Sequence, residues 1–211
     1  MFVGSRMSQP VISVNPDMPV HEALAMFKKE HISRAPVVKD GKLVGIVSES
    51  NLLNASPSLA TTLSIWEVNY LVSKVTVKQV MTKKVRTIDV DTPIEEAARI
   101  MADAKIGGMP VTRAGKVVGM ITETDLFKIF LELMGAREKG VRVSAVAEDK
   151  PGQLLKLSKA VTDAGGNFIS FGVFAGPDVS TKLITFKVAG IKKGDIKKVL
   201  EKAVKKFIDI R

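Results

Sequence analysis

Residues 2–53 recur as residues 76–127, without a gap, at a constant offset of 74. Val3 pairs with Val77, Met7 with Met81, Val11 with Val85, Asp17 with Asp91 and Pro19 with Pro93. Glu22-Ala23 pairs with Glu96-Ala97, Ile32 with Ile106, Pro36-Val37 with Pro110-Val111, Gly41-Lys42 with Gly115-Lys116, and Val44-Gly45 with Val118-Gly119. A chain built this way holds two copies of one supersecondary unit, and the two copies bury faces against each other.

Both copies read alike. A short strand (Val11–Val14; Val85–Val90) leads to a helix opened by Pro19 or Pro93, since proline suits the first turn. Thr92 and Glu95 have capping-box spacing. Val20, Ala23, Leu24 and Phe27, and Ile94, Ala97, Ala98 and Met101, fall at i, i+3, i+4, i+7 on one helical stripe. A strand at Pro36–Val38 or Pro110–Val111 then meets a two-residue turn, Asp40-Gly41 or Ala114-Gly115. The return strand is Leu43–Val47 or Val117–Ile121, and a second helix starts near Ser50 or Thr124. The unit is β-α-β-β-α. Between copies, Ala55-Ser56-Pro57-Ser58 breaks the chain, and Leu63, Trp66, Val68, Leu71 and Val72 predict a linker helix, with Trp66 packed across the repeat interface or at a dimer contact.

Gly45-Ile46-Val47-Ser48-Glu49-Ser50-Asn51 recurs as Gly119-Met120-Ile121-Thr122-Glu123-Thr124-Asp125, each after a Pro-Val strand. These segments resemble the CBS motif signature. The resemblance implies a pseudo-two-fold pair of motifs, a Bateman module, binding AMP, ADP, ATP or S-adenosylmethionine between them. It implies that Asp125 holds the ribose hydroxyls, that Thr122 and Thr124 lie near the phosphate, and that Thr87, Ile88, Gly108, Met109 and Pro110 line the adenine pocket. The chemistry is sound, because a carboxylate can accept from both vicinal hydroxyls and a helix start favours an anion. Asp125 also has a plainer reading as a helix cap.

The first copy supplies Ser13, Val14, Ala35, Pro36 and Ser48 at the matching positions. Asn51 stands where the second copy has Asp125, so that cleft loses a charged acceptor. Arg34 stands where the second copy has Gly108 and is either a phosphate ligand or a surface charge.

After Gly140 the repeat stops. Val141, Val143, Ala145 and Ala147 alternate with more polar positions, as in a half-buried strand. A helix follows to about Ala164, then strands Phe168–Phe174 and Lys182–Val188, a helix Lys193–Val204 and a strand Phe207–Ile210. Asp149-Lys150-Pro151-Gly152-Gln153-Leu154 and Ala164-Gly165-Gly166-Asn167-Phe168 resemble the two motifs of the ACT domain, which implies a ferredoxin-like βαββαβ fold and side-by-side pairing. An amino acid would then meet Asp149, Gly152, Gln153 and Asn167; equally, these residues serve turns in a domain that only dimerises. The expected organisation is an α/β (α+β) chain: residues 1–74 a CBS motif with its linker helix, 75–135 a second motif, and 140–211 an ACT domain. Such an arrangement resembles the acetoin utilisation protein family.

Thirty-two Lys and Arg against 22 Asp and Glu leave a net charge of +10, which invites a polyanion. The densest lysines, Lys192 to Lys206, alternate with Ile196, Val199, Leu200 and Val204 at helical spacing and read as a solvated helix face. Aromatic residues make up only 5% of the chain, too few for base-stacking platforms. There is no cysteine for a disulfide, thiolate metal site or thiol nucleophile. His21 and His31 fit neither metal nor triad spacing, and no P-loop is present. The expectation is a non-catalytic, cytoplasmic homodimer without metal, catalytic cofactor or membrane span, which senses an adenosyl ligand; a nucleic-acid-binding regulator is the alternative.

Overall fold

The computed structural model describes residues 1–55 and 74–211, so the expected linker helix and Trp66 lie outside the described residues. The chain divides into two compact units, Met1–Leu126 and Phe127–Arg211.

In the first unit, helix α1 (Val20–Lys29) precedes the antiparallel hairpin β1 (Arg34–Lys39) and β2 (Lys42–Ser48), then helix α2 (Glu49–Asn54). The second copy follows a short helix α3 (Val77–Val80). It comprises β3 (Ile88–Asp89), α4 (Ile94–Ala104), the hairpin β4 (Gly108–Arg113) and β5 (Lys116–Thr122), and α5 (Glu123–Leu133). Both hairpins turn on two residues of positive φ, Asp40 (50°) with Gly41 (75°) and Ala114 (48°) with Gly115 (77°). That backbone matches the right-handed twist of the strands it joins.

The leading strands are shorter than expected. Val14 makes a single parallel bridge to Val37, and β3 pairs only Ile88 and Asp89 with Val111 and Thr112. The prolines also stand one position earlier than expected, at the N-caps of α1 and α4. A proline cap has no side-chain acceptor, and the capping box expected of Thr92 and Glu95 does not form. Instead Val20 N–H donates to the Val75 carbonyl (2.9 Å) and Ile94 N–H to the Met1 carbonyl (3.1 Å).

Those two carbonyls, 74 residues apart, reveal how the copies are joined: each copy's leading segment packs on the other copy. Val3 is fully buried among Ile88, Ala97, Met109 and Ile121, while Val77 is fully buried among Val14, Phe27, Val37 and Val47. Ser8 bridges Met120, and Thr82 bridges Ile46. Gly119 leaves the space that Met7 fills, and Gly45 the space that Met81 fills; a Cβ at either would lie 2.5 Å from the methionine sulfur. The repeat is thus an exchange of segments between two pseudo-equivalent cores.

The second unit runs β6 (Val141–Glu148), α6 (Gln153–Asp163), β7 (Asn167–Ala175), β8 (Thr181–Ala189), α7 (Lys193–Leu200) and β9 (Lys206–Ile210). Its antiparallel sheet has the order β7-β8-β6-β9, and Leu157, Val161, Ile184, Phe186, Ile196 and Leu200 form its core. β6 is buried more completely than a half-buried strand. As an inner strand it also covers Ser144, whose hydroxyl bonds that of Thr185 at 2.9 Å. α7 stops at Leu200 rather than Val204. The Ala203 carbonyl beyond it accepts from the buried Gln153 side chain, and Lys205 N–H donates to Val146, which turns the chain into β9.

Candidate functional site

The start of α5 and the start of β4 come together, since Gly108 faces Thr122 across the β4–β5 ladder and Glu123 N–H donates to the Gly107 carbonyl (3.2 Å). At this junction the Asp125 carboxylate is buried, at 6% exposure. Its Oδ2 accepts from Thr122 N–H (2.9 Å) and from the Thr122 hydroxyl (2.7 Å). Among the described residues its Oδ1 receives only a long contact from the Ser8 hydroxyl (3.4 Å). One carboxylate oxygen therefore caps the helix while the other keeps most of its accepting capacity. Capping and ligand binding are compatible in this geometry.

The first copy repeats this arrangement with an amide. Ser48 N–H (3.0 Å) and the Ser48 hydroxyl (2.7 Å) both donate to Asn51 Oδ1, and Asn51 N–H donates to Ser48 Oγ (3.2 Å), completing a capping box. The remaining polar atom of Asn51 is its NH₂, a donor. Where the second copy presents an acceptor, the first presents a donor.

The other candidate residues fall into two sets. Thr87, Thr124 and Ser13 are exposed, Thr122 and Ser48 are half-buried, and Ser50 shares a 2.8 Å hydroxyl contact with Ser48. Ile88, Met109, Val14 and Ala35 have their side chains in the cores, and Pro36 and Pro110 are buried, so these positions offer a ligand their backbone edges. Gly108 has no room for a side chain: a Cβ there would lie 2.9 Å from the Ile121 carbonyl. Ser8 lies outside the contiguous motifs, so its place beside Asp125 has little signal in the sequence. The available signal was that position 82, its repeat mate, is also a hydroxyl residue, Thr82.

Of the residues expected to hold an amino acid, Asp149, Gly152 and Gln153 lie together at one turn, and Asn167 lies apart from them within the chain. Gly152, with φ 81°, is the N-cap of α6, and Asn167 follows that helix's far end. An 11-residue helix separates its ends by about 16 Å. Asp149 pairs with Lys182 (3.1 Å), and Gln153 is occupied with Ala203. Near the Gly152 turn, the hydrogen bond from Lys150 holds the Glu148 carboxyl below its usual range, opposed by desolvation and reinforced by the charges of Lys150, Lys205 and Lys156. Among the described residues no cluster of His, Asp or Glu could hold a metal ion, and no helix is long and apolar enough to cross a membrane.

Two interlocked α/β repeats, each with a capped helix start after its hairpin, define a paired-motif fold. A family model described as the CBS domain matches residues 3–58 and 77–132, and the chain belongs to that family. It is 34% identical over 157 residues to an uncharacterized protein, MJ1426, of Methanocaldococcus jannaschii, covering 62% of this chain and 92% of that one. Among solved structures it resembles the CBS domain pair of protein MJ0100 in complex with 5′-methylthioadenosine and S-adenosyl-L-methionine (28% identity, TM-score 0.53, 65% of this chain and 98% of that one). It also resembles a putative acetoin utilization protein, AcuB, from Vibrio cholerae (26%, TM-score 0.54, 65% and 96%). A third likeness is CBSX2 in complex with AMP (29%, TM-score 0.50, 62% and 96%).

Proposed function

We propose that this chain is a regulatory sensor that binds an adenosyl ligand at the second CBS motif, against Asp125. The observation carrying this reading is the Oδ1 of a buried carboxylate at a helix start beside Gly108, engaged among the described residues only by the long Ser8 contact. The adenosyl ligands named for the two similar CBS structures support it. In this reading residues 1–74 and 75–135 are the two motifs, and adenine lies on the backbone of Thr87-Ile88 and Gly108-Met109-Pro110. Thr122 and Thr124 face the phosphate or its substituent.

Asn51 makes the first cleft the weaker one. Calorimetric titration with AMP is expected to give one strong site per chain, and Asn51→Asp is expected to strengthen the first cleft and raise the stoichiometry toward two. Two equal sites in the parent, unchanged by that substitution, contradict the asymmetry. A parallel DNA mobility shift at moderate salt distinguishes a nucleic-acid binder.

Residues 140–211 form, in this proposal, an ACT domain of ferredoxin-like topology, supported by the β-α-β-β-α-β order and the β7-β8-β6-β9 sheet. β7 is an edge strand that exposes Val173 and Phe174, and an open edge is a template for pairing. A homodimer paired through this domain is the expected assembly, and light scattering at micromolar concentration is expected to report twice the chain mass; a monomer contradicts it. With Gly152 and Asn167 at opposite ends of α6, the domain dimerises first, and an amino acid requires residues from both protomers.

A further inference from the structure

Arg34 opens β1 in the first motif, opposite Ser48, yet its side chain lies along the backbone of the second motif. A Cβ built on Gly108 would meet Arg34 Cδ at 3.0 Å, and one built on Gly107 would run into the guanidinium, with Nη1 at 2.6 Å and Cζ at 2.8 Å. The cation thus covers the glycine surface that, in the adenosyl reading on which this inference rests, receives the base. Arg34 is half-buried, and among the described residues it makes no hydrogen bond or ion pair. Its planar donor array is suited to a phosphate.

We infer that Arg34 is a specificity-determining residue that makes the second cleft select a phosphate-bearing adenosyl ligand over an uncharged one. Any adenosyl ligand that settles on Gly107-Gly108 displaces the guanidinium. A phosphate gives the displaced cation a partner, whereas 5′-methylthioadenosine leaves it with none. Cover and clamp are the same side chain, so removing it acts with opposite signs on the two ligands.

The test is calorimetry of the full chain with AMP and with 5′-methylthioadenosine, for the parent, Arg34→Ala and Arg34→Lys, each checked for fold by circular dichroism. The parent is expected to prefer AMP. Arg34→Ala is expected to weaken AMP about tenfold or more, the loss of a charge-assisted contact, while 5′-methylthioadenosine binds as well as before or better. Arg34→Lys, which keeps a charge without the fork, is expected to fall between. Equal changes for both ligands, or a parent without preference, overturn the selection and leave the adenosyl reading standing. A parent that binds neither ligand overturns both.

Discussion

Removing residues 1–8 is expected to unfold the second repeat rather than the first. The deletion takes away Val3, fully buried in the second core, together with its N–H bond to Thr92, that of Gly4 to Val90, and the Met1 carbonyl that caps α4. Burying a valine contributes roughly 1.5–3 kcal/mol, and each buried group left without its partner costs about 1–3 kcal/mol. Thr92 and Ile94 are only half-buried and can turn to water, so the valine and one such buried group, the Val90 carbonyl, set the expected loss at about 2.5–6 kcal/mol, above the effect of an ordinary substitution. Native-state hydrogen exchange reads the location: amides of β4 and β5 lose protection, while those of β1 and β2, whose core keeps Val77, retain it. Protection lost first from β1 and β2 contradicts the exchange of segments.

Asp125→Ala is expected to weaken AMP binding ten- to a hundredfold. A hydrogen bond to a charged group contributes about 1.5–3 kcal/mol, and each 1.4 kcal/mol is about tenfold in affinity. Alanine also removes the cap, at about 0.5–2 kcal/mol of stability, so lost binding alone is ambiguous. Asp125→Asn separates the two roles. Asn51 already caps α2 through its carbonyl oxygen, so asparagine can take over the bonds from Thr122 and hold the fold. It then turns an NH₂ donor toward the ribose in place of Oδ1. The expected result is a melting temperature near the parent's with affinity still reduced about tenfold or more. An Asp125→Asn variant that binds AMP as the parent does removes the carboxylate from the site.

What the sequence shows clearly here is local or periodic. The turns at Asp40-Gly41 and Ala114-Gly115 depend on two adjacent residues, and the stripes of α1 and α4 on helical spacing, so both are legible in one dimension. The exchange of segments is not. Val3 and Val77 are buried whichever core each enters, and a repeat specifies equivalent environments without specifying which copy supplies them. The same reasoning separates Asp125 from Arg34. Asp125 belongs to a contiguous motif, whereas the reach of Arg34 to Gly107 depends on how two distant strand starts meet. Its only trace in the sequence is the complement, arginine in one copy where the other has glycine. In the second unit the motif around Gly152 was visible, but the engagement of Gln153 with Ala203, fifty residues away, was not.

Photoaffinity labelling with 8-azido-AMP, competed by AMP and mapped by mass spectrometry, tests the central claim most directly. The account predicts a competed label on the segment from Thr87 to Pro110, and its loss in Asp125→Ala. A competed label confined to residues 141–211, or none that AMP displaces, contradicts it.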